Sequence, residues 1–362
     1  MKKKEGLSVS YDMLGMLSIC YLFFTSSACL GATLAIEANS GEEGYAREYK
    51  SQSIEKIKDP YSPKPFTFFT DVLYMKAIED GLRYAETNSF TFSPPGNSIE
   101  QDFNYEFGVR VGVTIPIKED ELSCGIIYTR YHAEPDCVTK IDSQQFIFAC
   151  LGAPTYLPYG NTQCGYVRGA WKCNLDKIDI EIKKPIIFSK SFFVFPLLGV
   201  SSAIITQRVD VSYRDYFIVT GPSFGTAQSI VGKSRTWGCG SFIGASGRFS
   251  FLDNVGFVFR GTAALMCGSF DATTRFGEFT SSDIQDGFIR ENANRLFTLF
   301  QLQAGLSAKF LLKEKVSLDI ALGWESQIWS NQMRMTWYST IPSTKEGNLT
   351  LYGPFADISL GF

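Results

Sequence analysis

The last stretch of the chain alternates. Counting back from the terminus, Phe362, Leu360, Ile358 and Ala356 share one parity, with Pro354 and Tyr352 before them. Gly361, Ser359 and Asp357 take the other. A period of two places side chains on opposite faces of a strand. Chain ends fray unless something ties them down, so a soluble domain rarely finishes on a strand that ends in a bare aromatic. A transmembrane barrel has to pair its last strand with its first, because an open sheet edge does not survive in lipid. The expected class is therefore all-β: a single antiparallel transmembrane β-barrel.

The alternation recurs upstream. Phe103, Tyr105, Phe107, Val109, Val111, Val113 and Ile115 lie on one parity, against Asn104, Glu106, Gly108, Arg110, Gly112 and Thr114. Such a run is long beside the usual strand of about five or six residues, and it suits a membrane strand of about 9–11 residues plus overhang. Val316, Leu318, Ile320, Leu322 and Trp324 repeat the pattern, as do Leu296, Thr298, Phe300, Leu302, Ala304, Leu306 and Phe310. Short polar connections at 117–121, 185–190, 251–254 and 312–315 alternate with long, polar, glycine-rich ones at 134–167, 210–233, 272–293 and 330–347. Short periplasmic turns and long outer loops are the asymmetry of outer-membrane barrels. Ten strands are predicted, over 66–77, 103–115, 122–133, 168–185, 191–209, 234–249, 255–270, 294–311, 315–330 and 347–362. Residues 81–92 are strand-like as well, forming an outer hairpin or a further spanning pair that would make twelve strands. Aromatics near strand ends (Phe103, Tyr105, Tyr128, Phe310 and Tyr352) are expected at the two membrane interfaces.

Composition fits: 31 Phe, 17 Tyr and 32 Gly suit aromatic girdles and crowded inner faces. A net charge of −3 without a basic stripe argues against a nucleic-acid partner. At the start, Lys2 to Lys4 precede an apolar run from Met13 to Phe24 and then the small residues Ser26, Ser27, Ala28, Gly31, Ala32 and Ala35. That order describes an export signal over residues 1–35, cut after Ala28 or Ala35. The apolar run is shorter than the roughly 20 residues of a spanning helix. Residues 36–65 read as a polar periplasmic leader, and 66–362 as the barrel.

In a barrel, charges on the inward parity are the functional candidates: Glu106, Arg110, Lys309, Asp319, Glu325 and Asp357, with Asp179, Glu181 and Lys183 opposite an isoleucine stripe. Both signs occur, so no strong ion selectivity is expected. Ten or twelve strands leave a narrow lumen, since about eight are filled by side chains alone. The expected function is passive diffusion of small solutes or ions. The alternative is a closed barrel with a structural or adhesive role through its outer loops. His132 is the single histidine and no GxSxG elbow is present, so the chain reads as a non-enzyme without cofactor or metal. Cys137, Cys150 and Cys164 fall in the segment after the third strand, with Cys173 just beyond. In an oxidising compartment a bridge closing about 15 residues there could contribute roughly 3 kcal/mol. Seven cysteines follow residue 100, an odd number that leaves one thiol free or bonded to another molecule. Cys124, Cys239 and Cys267 read as small apolar wall residues.

Three stretches resemble a known family. These are Phe69 to Ala77 with Glu79 to Leu82, then Phe103 to Gly112 with Tyr128 to His132, and finally Leu349 to Pro354 before Phe362. The chain resembles the Legionella-type outer membrane proteins, grouped with the chlamydial major-outer-membrane-protein-like porins. Met75 stands where that family usually shows Trp, and a Trp expected after Asp120 is missing. The resemblance implies passive transport of small solutes through an outer membrane. It also implies that Phe362, Leu360 and Ile358 form the label read by the insertion machinery, and that disulfides cross-link the protein into homo-oligomers or to other envelope proteins.

Overall fold

In the computed structural model, residues 66–88, 97–118, 122–141, 146–149, 162–189, 191–218, 227–252, 254–279, 284–313, 316–337 and 343–362 are described. The export signal and leader lie outside them. Ten long strands form the wall: β1 (Thr67–Glu79), β2 (Tyr105–Lys118), β3 (Leu122–Ala133), β4 (Thr162–Lys183), β5 (Phe192–Ile218), β6 (Ala227–Ser250), β7 (Val255–Phe279), β8 (Ile284–Lys313), β9 (Val316–Trp337) and β10 (Ser343–Gly361). Each pairs antiparallel with its neighbours in sequence, including β4 with β5. The ring closes where β1 meets β10, with Thr67 opposite Gly361 and Glu79 opposite Leu349. The backbone N–H of Phe362 donates to the carbonyl of Phe66 at 2.9 Å, and the two rings lie 6.3 Å apart. A terminal aromatic is thus tied down by the first strand. No helix among the described residues is long and apolar enough to cross a membrane.

The predicted parities hold all the way round. Outward positions carry Val72, Phe107, Ile126, the stripe Ile178, Ile180 and Ile182, Leu302, Leu322 and Ile358, all exposed. At one rim Trp324, Tyr352, Tyr105 and Tyr74 form an arc across four neighbouring strands, with successive rings 6.3, 6.4 and 5.3 Å apart. The Tyr128 hydroxyl, at the same end, donates to Asp176 at 2.6 Å, where the isoleucine stripe of β4 gives way to polar residues. The other rim carries Phe66, Phe192, Phe249, Phe310 and Phe362 at the short-turn end. These are the aromatic girdles that an apolar belt requires. Phe103 departs from expectation. It precedes β2 and packs edge-on against the buried Trp171 at 5.3 Å, so it belongs to the interior and not to a girdle.

Two further differences matter. The strands run well past the predicted limits at the long-loop end: β8 has 30 residues and begins at Ile284, and β5 has 27 and continues to Ile218. Much of the predicted 210–233, 272–293 and 330–347 loops is therefore paired hairpin above the membrane. Once clear of lipid, both faces of a hairpin may be polar, so pairing continues where alternation has stopped. By contrast β1, β2 and β3 have only 13, 14 and 12 residues. Second, residues 81–88, the described part of the strand-like 81–92, add no spanning pair, and the wall has ten strands. Arg83–Asn88 pairs with Ser98–Glu100 and with Phe146–Ala149, which in turn pairs with β4 at Cys164 and Gln163. Above the ends of β1 to β3, the upper edge of β4 would be an unpaired edge. It is covered by Val138–Ile141 and Phe146–Ala149, and the sheet continues into the barrel mouth.

The seam is testable. Val72 and Ala356 face each other across it, both on the outward parity. In a Val72→Cys, Ala356→Cys variant, mild oxidation should join the first and last strands. The denatured variant should then run faster than the parent on a non-reducing gel. Absence of that shift would contradict closure by β1 and β10.

Candidate functional site

The interior divides into a charged half and an apolar half. Arg110, on β2, reaches past β1 and β10 to Glu325 on β9. Its Nη1 and Nη2 donate to the two Glu325 oxygens at 2.9 and 2.6 Å, and Nη1 also donates to Asp71 at 2.8 Å. Glu325 accepts further bonds from Gln301 at 2.9 Å and Gln327 at 2.7 Å. Lys177 on β4 pairs with Asp179 at 2.8 Å and donates across the lumen to Gln301 of β8 at 3.2 Å. Arg260 of β7 meets Glu181 of β4 at 2.5 Å, and Arg248 of β6 meets Asp319 of β9 at 2.5 Å. The pairs Arg110–Glu325, Lys177–Gln301, Arg260–Glu181 and Arg248–Asp319 sit three or four strands apart around the ring, so these bonds span the lumen. Below them a cavity of about 380 Å³ opens among Asp71, Arg110, Asp179, Lys183, Arg248 and Arg260.

Toward the outer end the inward residues turn apolar. Leu73, Met75, Tyr131, Trp171, Leu175, Val209, Phe270, Phe297 and Trp329 are each 2% exposed or less. The inturned segment completes this layer: Leu82, Tyr84, Ala85 and Ile99 are buried among them. The Tyr84 ring lies on Gly169 of β4, where a Cβ would strike it. Its hydroxyl donates to Gln101 at 2.7 Å, and the Tyr213 hydroxyl donates to the Tyr84 carbonyl at 2.6 Å. Within the apolar half, four residues beyond Met75 on β1, the buried Glu79 carboxylate accepts from Gln207 of β5 at 2.7 Å and Gln332 of β9 at 2.5 Å. Trp171 donates to Gln207 at 3.3 Å.

Of the lumen candidates, Arg110 and Glu325 form the hub, and Asp319 holds Arg248. Lys309 lies directly opposite Asp319, and Asp357 directly opposite Asp71 with Ser359 donating to it at 2.9 Å. Glu106 is half-buried on the same parity, opposite Met75. Asp179, Glu181 and Lys183 all point inward. Asp71, Lys177, Arg248 and Arg260 were missed, although each lies on an inward parity of its strand. Glu79 and Gln207 were missed likewise, on inward parities of β1 and β5, and Gln332 for a different reason. A bulge at Asn331, with φ of 54°, shifts the register between Trp329 and Met333 and turns Gln332 inward.

Ile358 and Phe362 are outward and half exposed, and Leu360 lies between them at the seam. His132 also faces outward, its Nδ1 2.6 Å from Asn174 Oδ1 and its Nε2 3.6 Å from Glu134. Of the disulfide candidates, Cys150 lies outside the described residues. Cys164 is buried and donates to the Ile147 carbonyl at 3.3 Å, Cys173 is buried, and Cys137 is exposed and accepts from Arg168 at 3.6 Å. Cys164 and Cys173 share one strand, about 30 Å apart along it, which excludes a bridge between those two. Val138 is opposite Gly169, so Cys137 is about three residues from register with Cys173 and farther from Cys164. None of these three faces another.

A closed ring of ten strands, apolar outside and charged within, is an outer-membrane β-barrel. The sequence says which kind: residues 58–362 match the family described as Legionella pneumophila major outer membrane protein precursor, and the chain belongs to it. No curated protein matches the sequence. Among solved structures the chain is similar to the outer membrane protease OmpT from Escherichia coli, with 10% identity and a TM-score of 0.36 over 83% of this chain and 97% of that one. It is similar to a Pseudomonas aeruginosa FadL homologue, with 10% identity and a TM-score of 0.28 over 83% and 90%. The P. putida toluene transporter TodX gives 6% and 0.24 over 83% and 91%. These likenesses are too distant to transfer any function.

Removing one partner of a buried ion pair strands the other, at about 3–5 kcal/mol. Arg110→Ala should therefore lower the denaturant midpoint of the detergent-folded barrel sharply. Arg110→Met combined with Glu325→Met should cost less than the single change. Equal stability of wild type and Arg110→Ala would show that the hub holds nothing together.

Proposed function

We propose that this protein is an outer-membrane channel for small solutes or ions, closed in the present state by its own first extracellular segment. The carrying observation is the division of the lumen. A barrel needed only as an anchor would gain most from a hydrocarbon filling, since buried charges cost several kcal/mol each unless paired or wetted. Here inward charges of both signs line the lower half, and among the described residues the buried oxygens Asp179 Oδ1 and Asp319 Oδ1 have no hydrogen-bond partner. Water in the lower cavity is what satisfies such atoms. The stopper above is of another kind. It is carried by a loop, and among the described residues its strand Arg83–Asn88 has no backbone register with any wall strand; it joins β4 only through Phe146–Ala149, which meets Cys164 and Gln163. A stopper so attached can leave without disturbing the ring.

The bonds across the lumen favour a second reading, in which the barrel never opens and acts as a structural or adhesive protein through its long hairpins. Bilayer conductance separates the two. The wild type should pass little current, and replacing 83–100 with a short Gly-Ser linker should raise conductance at least tenfold, with folding checked by heat-modifiable gel migration. A folded, truncated barrel that still seals would overturn the channel reading and leave the closed one.

The route to the membrane belongs to the same proposal. Residues 1–35 serve as a cleaved export signal, and Phe362, with Leu360 and Ile358, is read by the insertion machinery. Deleting Phe362 should leave the chain unfolded in the periplasm, whereas Ser359→Ala should insert normally. Equal insertion of both would count against it. Pairing of Cys137 or Cys173 with Cys150, or with a second copy, accounts for the cysteines of the outer segment.

A further inference from the structure

Strands β6 and β7 carry an arrangement that the channel reading does not use. Cys239 lies directly opposite Cys267 in the antiparallel register. Among the described cysteines this pair alone is in register. Cys124 faces Ile115 and Ile182, Cys173 faces Ala133 and Gln207, and Cys164 faces Ile147 and Tyr216. Cys239 and Cys267 share the outward parity with Trp237, Leu265 and Ser269, near the outer edge of the apolar belt. Cys267 is exposed and Cys239 half-buried.

Glycines leave the backbones bare beside this pair, as at Gly244 and Gly323 elsewhere in the wall. A Cβ on Gly240 would run into the Leu265 carbonyl, and one on Gly268 into the Trp237 carbonyl. Gly238 faces Gly268 on the inward side, where the ring of Phe297 covers both in place of side chains. Directly opposed residues in an antiparallel pair have Cα atoms about 4.5 or 5.5 Å apart. Both values fall within the roughly 4.4–6.8 Å that a disulfide spans. A small wall residue could equally be Ala or Ser; two thiols directly opposite each other lie within disulfide reach.

We propose that Cys239 and Cys267 form an intramolecular disulfide that pins β6 to β7 at the outer edge of the membrane. An outer-membrane protein crosses the periplasm on its way, and that compartment supplies protein disulfides as oxidant. A Cys239 thiolate attacks the oxidant's disulfide, whose S–S bond breaks, and one oxidant sulfur leaves as a thiol. The Cys267 thiolate then displaces the second oxidant sulfur, and the Cys239–Cys267 S–S bond forms. Two protein thiols are oxidised by two electrons, one oxidant disulfide is reduced to two thiols, and the protons balance.

The test uses full-length protein from intact cells whose free thiols are blocked before lysis. Trypsin releases Cys239 in the peptide 236–248 and Cys267 in 261–275, each holding no other cysteine. The expected result is recovery of these peptides joined to each other, from protein that migrates as a monomer without reductant. Dithiothreitol should separate them, and a Cys124→Ser variant should give the same joined pair. Three outcomes would overturn the proposal: both peptides recovered with the blocking group attached, either one joined to a different cysteine peptide, or the joined pair found only in a dimer band.

Discussion

Hydrocarbon offers no hydrogen bonds, and the meeting of β1 with β10 follows from that. Every N–H and C=O at membrane depth needs a partner from the chain itself, and for strands the solution is a ring. The first strand thereby becomes the template for the last, and Phe362 is placed by the carbonyl of Phe66. Given closure and an even strand number, each hairpin must present its apolar parity outward, and the opposite parity is forced into one confined space. The charged lumen is thus a result of the wall and not an independent feature.

That confinement explains the energetics inside. In a ring of ten strands an arginine can cross three strands to find its acid, as Arg110 finds Glu325 and Arg260 finds Glu181. A charge with such a partner is tolerated where a lone one would be neutralised or expelled. Farther out, large apolar side chains do the filling, and a loop contributes the last of them. Two chemistries share one tube because the lower half meets water through the cavity, whereas the upper half meets the inturned segment.

The wall was legible in the sequence because lipid acts on one face only. Ile178, Ile180 and Ile182 alternate with Asp179, Glu181 and Lys183, and nothing but a membrane strand needs both stripes at that length. The strand ends were not legible, since outside lipid β8 can be polar on both faces and still pair, from Ile284 onward. Arg110 and Glu325 were each marked by parity. Their pairing was not, because it depends on strand order and stagger across 215 residues. Gln332 was hidden by the two extra residues that β9 carries between Trp329 and Met333, which turn its side chain inward out of the alternation. Tyr84 read as a strand residue correctly, but its destination was set by an edge on β4 that only the assembled sheet reveals.

The unequal strand lengths have a consequence for traffic at the cell surface. With β1 to β3 ending low and β4 to β8 rising high, the rim is lopsided. On the low side the wall gives way to folded-in chain, Arg83–Asn88 with Val138–Ile141 and Phe146–Ala149. Whatever reaches the protein from outside therefore meets two unlike surfaces, a tall regular sheet on one side and irregular connections on the other.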